Sequence, residues 1–533
     1  NIIDLCPVGA LNSKPFRYRG RGWEMTQYPL VSPHDGVGTQ LFGHVLRGRL
    51  MRVVPRACEQ INETWIADRD RFSYEGIYSD DRVLAPQLKQ SDGSWREVPW
   101  DQALEAAAGL LQGAAGSSEG LGLLAHPSST LEEHYLLTRL ADGLGSSNID
   151  HRLRHRDFRD QAADARAPEL GHSIAAIDEL DALLVIGSNL RHEVPILAHR
   201  VRKAALRGAK VGFINPTLFK YLFPVARYLV AHNDGDVAAL AAVLRAALGE
   251  AQPPGTVAPL LAGVTAEAGH RALADMLKAG ARRAIWLGAL ALRSSRYSEL
   301  RALARAVAAA TGASIGELAE GGNAVGACLA GVLPHRGIAG TPRAKVGLDA
   351  RAMLERPLSG YLLLHCEPWA DAAQSAALET LARSRAVVAI TPYASAEMRR
   401  VAHVLLPAGT FAESSGSYVS LEGRWQSQGG VARVLGAARP AWKILRVLGN
   451  LLHLSGFDYE SSEQVRDELK ARIAAVEVHA GPTDAVTWDW PAVRSEPIID
   501  LGMYQIDPVL RRANSLRRTA DGRVVSMVYG APT

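Results

Sequence analysis

Few residues in this chain are placed to do chemistry, and the first is Cys6, set directly before Pro7 in "NIIDLCPVGAL". A Cys-Pro pair often ends an iron-sulfur segment, because the thiolate binds iron while proline turns the backbone away from the cluster. One thiolate cannot hold a cluster. Cys6 is therefore either a packed thiol, as free cysteine commonly is, or one ligand of a set whose companions lie elsewhere. The other cysteines, Cys58, Cys328 and Cys366, share no CxxC spacing with it. Cys328 and Cys366 stand in the apolar contexts "AVGACLAG" and "LLLHCEP", where core packing explains them better than redox chemistry.

Other signatures are missing. No GxGxxG, GxxxxGK[ST] or GxSxG occurs at a strand-to-helix junction, so nothing points directly to NAD, ATP or a hydrolase nucleophile. The 16 histidines are dispersed without an HExxH pair, which argues against zinc. One segment is dense in charge: "RLRHRDFRD" brings Arg152, Arg154, Arg156 and Arg159 around His155. Structural pairing with Asp157 and Asp160 is the favoured reading, with an anion pocket or a subunit contact as the others. The small residues of "GNAVGACLAG" suit close packing.

The elements that must position these residues follow from periodicity. From Gly20 to about Tyr78 the pattern is short and strand-like, with turn residues in "SPHDGVG" and alternation in "HVLRGRLMRVVP", which predicts a small β-rich module. After it, strand and helix alternate. Asp101 is expected as an N-cap and "STLE" at 129–132 as a capping box. In "DALLVIGSNLRHEVPILAHRVRKAALRGAKVGFINP" a buried strand ends at Gly187, Pro195 opens a helix, and Leu197, Val201, Ala204 and Ala205 share one face. Gly208 stops that helix before a strand at 210–214. The rhythm returns in "RRAIWLGAL" and a helix with Leu300, Leu303, Ala304 and Val307 on one side and Gly312 at its end, then in "GYLLLHCEP" and "AVVAITPY". Such alternation predicts an α/β fold with parallel sheets covered on both faces. The last stretch reads as polar and irregular, with "MYQIDPVLRRANSLRRT" as one possible short helix.

Bulk properties narrow the partners. Of 533 residues 47% are hydrophobic and 21% charged, and Lys+Arg 59 against Asp+Glu 55 leaves a net charge of +4. Without long basic runs, nucleic acid is not the favoured partner. No apolar run reaches the roughly 20 residues that span a bilayer, and no signal peptide is visible, so any membrane link is expected to run through another protein. Sparse cysteines fit a reducing compartment.

Several segments, taken in order, carry a resemblance: "CPVGAL", "SPHDGVGT", "ETWIADRDRFSYEG", "SSNIDHRLRHRDF", "LLVIGSNLRHEVPILAHRVRKAALRGAKV", "GGNAVGACLAGVLPHR", "HVLLPAGTFAESSGSYVSLEGRWQ" and "YQIDPVLRRA". Together they resemble the molybdopterin-oxidoreductase superfamily, and within it the large iron-sulfur subunit of NADH:quinone oxidoreductase, respiratory complex I. The resemblance implies that Cys6 is the fourth ligand of a 4Fe-4S cluster. Its other ligands, a 2Fe-2S centre and a further 4Fe-4S cluster would then lie upstream in a ferredoxin-like domain. It also implies an organisation: residues 1–19 as the tail of that domain, 20–78 as a cysteine-free relic of a 4Fe-4S module, 79–460 as a molybdopterin-oxidoreductase-like α/β body with Rossmann-like sheets, and 461–533 as a C-terminal extension.

Two departures qualify the resemblance. The superfamily's small module usually holds a 4Fe-4S cluster on a comb of cysteines, whose teeth here fall on Ser32, Asp35, Thr39 and Ala67, although Gly36 and Gly38 keep the tight loop. Hydroxyls, a carboxylate and a methyl do not hold a soft iron-sulfur core. In molybdenum relatives the segment resembling "NIDHRLRHRD" presents the metal-binding residue, and that register here is Arg156, whose guanidinium has no lone pair to give. The strand-end position that often carries an acid toward the pterin nucleotide reads Asn215. Glu413 and Arg424, near the pterin in those relatives, are expected to serve loop hydrogen bonding.

The implied function is a subunit of a proton-pumping translocase passing electrons from NADH and flavin to quinone. Cys6 is the metal ligand, no catalytic residue or molybdenum cofactor is expected, and the fragment alone is expected to be inactive. Flavoprotein and peripheral-arm subunits are the implied partners, on the cytoplasmic face of a bacterial inner membrane or the matrix side of a mitochondrial one. A working molybdopterin oxidoreductase of the formate dehydrogenase type, or a purely structural assembly protein, are the alternatives.

Overall fold

The computed structural model describes residues 2–232, 235–476, 493–494, 496–524 and 526–529. It opens with an antiparallel sheet of β1 (Thr26–Val31), β2 (Gln40–Leu46) and β3 (Arg49–Pro55). Along β2 buried positions alternate with half-buried ones, as one core-facing side requires. The β2–β3 turn is Arg47-Gly48, both at positive φ (52° and 79°), which matches the twist of a two-residue hairpin. The loop 32–39 and the helix Asp68–Phe72 close this module over Leu30, Leu50, Val53, Ile66 and Ile77.

The chain then starts a larger sheet with β4 (Gln87–Lys89), β5 (Trp95–Glu97), β6 (Leu121–Ala125) and β7 (Ile149–Asp150). It leaves to build a second sheet from β8 (Ala182–Ile186), β9 (Lys210–Asn215), β10 (Arg227–Val230), β11 (Arg283–Leu287) and β12 (Ser314–Glu317). It returns with β13 (Gly360–Leu364), β14 (Ala386–Thr391) and β15 (Val404–Pro407). The strand orders are β5-β4-β15-β14-β13-β6-β7 and β10-β9-β8-β11-β12. The second sheet is parallel throughout; the first is parallel apart from its β4–β5 edge. Every residue of β6, β8, β13 and β14 is buried, which is why these strands appear in the sequence as unbroken apolar runs. Two antiparallel pairs follow, the hairpin of β16 (Gly416–Val419) with β17 (Trp425–Gln428), and β18 (Ile498–Leu501) with the sequence-distant β19 (Ser526–Tyr529).

This is the α/β architecture that the sequence predicts: parallel sheets behind a small antiparallel module. Gly187 ends β8 at φ 65°, and a Cβ there would stand 2.4 Å from the Ala291 backbone nitrogen, so the turn into the next helix requires glycine. Pro195 opens the helix Pro195–Leu206, whose Leu197, Val201, Ala204 and Ala205 are buried, and Gly312 caps the helix Tyr297–Thr311 in the left-handed region.

Some local expectations shift. The helix Trp100–Ala115 takes Pro99 as its N-cap, leaving Asp101 inside the first turn. The capping box is Thr130 with Glu133, one residue on from "STLE", because Glu132 turns inward to accept from the backbone N–H and the hydroxyl of Ser417. The last stretch is not irregular at its start: Ser462–Ala475 is a helix capped by Ser461, whose buried residues are Ser462, Val465 and Leu469, a stripe too thin to be visible as periodicity. "MYQIDPVLRRANSLRRT" breaks into a 3-10 turn at Leu510–Arg512 and the short helix Asn514–Arg517. Residues 477–492 of the expected extension lie outside the described residues. Among the described residues no helix is long and apolar enough to cross a membrane.

Candidate functional site

The Cys6 loop is built by a single helical turn, Ile2–Leu5, from which Cys6 and Pro7 lead away. Gly9, at φ 66°, bends the chain back so that the Leu11 N–H donates to Cys6 Sγ at 3.4 Å. That amide, against some opposing burial and with help from the amides of Ala10, Val8 and Gly9, holds the thiol below its ordinary value. Backbone N–H groups aimed at sulfur favour the thiolate, which is the form that iron takes. The loop is fastened to the β module where Arg71 grips the Asp4 carboxylate with both terminal nitrogens, a pairing across the sequence that no local pattern announces.

The comb positions fall together in the loop 32–39 and at the start of the helix Asp68–Phe72, and their polar groups are already engaged. Ser32 Oγ donates to Asp70 Oδ1 at 2.5 Å, and Asp35 forms an ion pair with Arg69. Arg69 extends onward to the carbonyls of His192 (3.1 Å) and Glu193 (2.8 Å). Burial pushes the Asp70 carboxyl up. Thr39 is fully buried and Ala67 serves as the N-cap of the helix. Two hydroxyls, a carboxylate already bound to arginine and a methyl do not fit the thiolate demand of an iron-sulfur cluster at this comb. Among the described residues no group of three or more His, Cys, Asp or Glu is arranged to hold a metal ion.

The third location lies between the two parallel sheets. A cleft of about 900 Å³, counting its open mouth, is walled by Arg152, Asp164, Tyr297, Arg301, Glu317 and Cys328. The arginine cluster on its margin is paired, as expected, though not with all the expected partners. Arg152 holds Asp150 (3.0 Å) and Asp164 (3.2 Å), Arg154 holds Asp371 (3.2 Å), and Arg159 holds Asp157 (2.8 Å). Asp160 instead pairs with Arg301 (2.6 Å). Burial raises the Asp371 carboxyl, but Arg511, His126 and Arg154 outweigh it and bring the group below the ordinary range.

A C-terminal strap, residues 496–513, crosses this margin. Arg154 donates to the Ile506 carbonyl (2.8 Å), Arg156 to the Pro497 carbonyl, and Arg293 to the Ile499 carbonyl (3.0 Å). In return Arg511 binds Glu367 and Asp371, both at 2.8 Å, Arg512 binds Asp81 (2.6 Å) and Glu367 (2.7 Å), and Asp507 meets His34 (2.8 Å). Arg156, at the register of the metal-binding residue in molybdenum relatives, is thus committed to the strap. The remaining sequence-predicted positions are also engaged locally. Asn215 accepts from Ser188 N (2.7 Å) and donates to Tyr228 Oη (2.8 Å). Glu413 receives Arg82 (2.9 Å) and the Thr410 amide (2.8 Å), and Arg424 reaches Glu422 (2.7 Å). Cys366 donates to the Leu124 carbonyl (3.4 Å), Cys328 stands 3.8 Å from His151 Nε2, and burial pushes both thiols up.

Paired parallel sheets facing across a cleft, entered through a small antiparallel module, define the α/β body on which molybdopterin-dependent enzymes are built. Residues 82–451 match the family described as molybdopterin oxidoreductase, and the chain belongs to that family. Residues 30–75 match a narrower description, the NADH-ubiquinone oxidoreductase NDSU1/NuoG-like 4Fe-4S domain. The chain is 27% identical over 481 residues to the mitochondrial NADH-ubiquinone oxidoreductase 78 kDa subunit of Neurospora crassa, covering 88% of this chain and 57% of that one. It is 33% identical over 235 residues to the NADH-ubiquinone oxidoreductase 75 kDa subunit of Reclinomonas americana, covering 41% of this chain and 33% of the relative. The chain therefore spans little more than half the length of the Neurospora relative. Acetylene hydratase from Pelobacter acetylenicus shares the fold, with a TM-score of 0.62 at 17% identity over 81% of this chain and 70% of that one.

Proposed function

We propose that the chain is part of the large iron-sulfur subunit of a proton-pumping NADH:quinone oxidoreductase, in which Cys6 supplies one thiolate to a 4Fe-4S cluster on the route from NADH and flavin to quinone. The Cys6 loop carries this reading: a half-exposed thiol before proline, ringed by amides that favour its thiolate. The names of the relatives, subunits of NADH-ubiquinone oxidoreductases, support it. The other cluster ligands, and the further 2Fe-2S and 4Fe-4S centres, belong to parts of the protein outside residues 1–533. Electron transfer needs no acid, base or nucleophile from the polypeptide.

In this reading the module 20–78 and the α/β body hold the cluster region against flavoprotein and peripheral-arm subunits, without molybdenum. The commitment of Arg156 to the strap and of Asp35 to Arg69 favours a scaffold over a cofactor site. The complex lies on the cytoplasmic face of a bacterial inner membrane, or on the matrix side in mitochondria, and the chain alone is inactive. The test is low-temperature EPR on the reduced, assembled complex. A Cys6→Ala variant should lose one 4Fe-4S signal and keep the rest; an unchanged spectrum, or stoichiometric molybdenum in the wild-type complex, overturns the reading.

A further inference from the structure

The buried arginines among the described residues find carboxylates, as Arg69, Arg71, Arg82 and Arg154 do. One face departs from that habit. Lys14, Arg17, Arg19 and Arg21 on the approach to β1, and Arg47 and Arg49 at the β2–β3 turn, are all exposed, and among the described residues none of the six forms an ion pair. Several lie over aromatic rings instead: Arg17 is 5.3 Å from the Tyr18 ring centre, Arg21 5.7 Å from Trp23 and Arg49 3.5 Å from Tyr78. Tyr18 is 94% and Trp23 82% exposed.

The approach to β1 lies against the β2–β3 hairpin. The Cβ position of Gly20 lies 3.5 Å from the Leu46 side chain, the Arg52 guanidinium covers Phe16 at 4.7 Å, and Arg19 and Arg49 both bear on the Tyr74 phenol. Between residues 14 and 56 the acids are Glu24, which accepts from the Arg21 amide, and Asp35, which is buried against Arg69. The positive excess of this stretch is larger than the +4 of the whole chain, so the remainder is slightly acidic.

An arginine stacked on a ring keeps its N–H fork free for a carboxylate. Arginine, tyrosine and tryptophan are also the residues that dominate binding at protein interfaces. We propose that the approach 14–24 and the β2–β3 turn form a docking face for an acidic protein surface on a neighbouring subunit. A protein suits this face better than nucleic acid, because the basic excess does not continue beyond this stretch as the extended track that a phosphate backbone would need, and the remainder of the chain is slightly acidic. The partner's being a subunit rests on the function proposed above. The relatives carry subunit names, and the same face continues into the Cys6 loop through the Asp4–Arg71 pair.

The test places a benzophenone amino acid at Trp23 in the assembled complex and sequences the peptide that it captures on irradiation. An Asp/Glu-rich segment of another protein is expected. Its yield should fall at least about fivefold in high salt, where screening is complete within a few ångströms. It should fall equally in a variant carrying Arg17→Glu, Arg19→Glu and Arg21→Glu, with an unchanged melting temperature. A peptide without acidic residues, a nucleic-acid adduct, no adduct at all, or a yield indifferent to salt and charge reversal overturns the proposal. An acidic footprint on a protein unrelated to NADH oxidation keeps the docking face and overturns the complex I reading instead.

Discussion

Arg69 reaches from the helix Asp68–Phe72 into the loop 32–39 and closes on Asp35, with both side chains withdrawn from water. The same guanidinium continues to the carbonyls of His192 and Glu193 beyond β8, so one residue joins the loop, its helix and the second parallel sheet. Where the superfamily's small module usually carries a cluster, a cation and a carboxylate join the parts of this one. The oxygen of Asp35 is therefore already assigned.

Asp35→Ala should destabilise the chain by about 3–5 kcal/mol, because it strands a buried guanidinium without its counter-charge. Asp35→Ala combined with Arg69→Met should cost clearly less than the two single changes added together. Urea denaturation of the four proteins of this cycle measures the coupling.

The strap makes a second claim on charge. Replacing Arg511 and Arg512 by glutamine leaves Glu367 and Asp371 buried beside weaker partners and removes four ion pairs. Hydrogen exchange of the amides at 498–512 should then accelerate at least about tenfold, while β13 and β14 keep their protection. Equal acceleration throughout the body would mean that the strap is not a separate unit.

The body of the fold is legible in the sequence where local rules act alone. Gly187, Pro195, Gly208 and Gly312 punctuate strands and helices because backbone geometry leaves little choice at those points. The capping box at Thr130 shifts by one residue because "SSTLEE" offers several hydroxyls and two glutamates, and tertiary packing, through Ser417, decides which glutamate turns inward. The strap is illegible for a different reason. Its partners, such as His34 for Asp507 and Asp81 for Arg512, lie hundreds of residues away, and no periodicity encodes such pairs. At the candidate site, Cys6 is singled out by its neighbour Pro7, whereas the amides that tune it become visible only once Gly9 turns the chain.

Glu193 gives a pH dependence. Its carboxyl accepts from Ser188 Oγ and the Ala289 amide (2.7 Å), and burial pushes it up to about 8 from an ordinary 4.5. Below pH 4.5 it is protonated in both folded and unfolded chains, and nothing is lost. As pH rises from there toward 8, the unfolded chain releases the proton that the folded chain retains, so stability falls, by at most about 1.4 kcal/mol per pH unit. Glu193→Gln should flatten that decline relative to wild type; parallel melting curves of the two proteins between pH 5 and 8 would contradict it.

The sulfur chemistry of Cys6 can be separated from any bound cluster. The thiolate is the reactive form, and its fraction at a given pH follows from the local amides. In the isolated chain, iodoacetamide should label Cys6 well ahead of Cys328 and Cys366, whose thiols are buried and raised. The rate at Cys6 should rise with pH through a midpoint below the ordinary 9.0. Leu11→Pro deletes the amide that donates to Sγ, so the midpoint should move upward while Cys328 and Cys366 remain unreactive. If the midpoint does not move, the Leu11 amide does not tune the sulfur, and the loop offers iron no preformed thiolate.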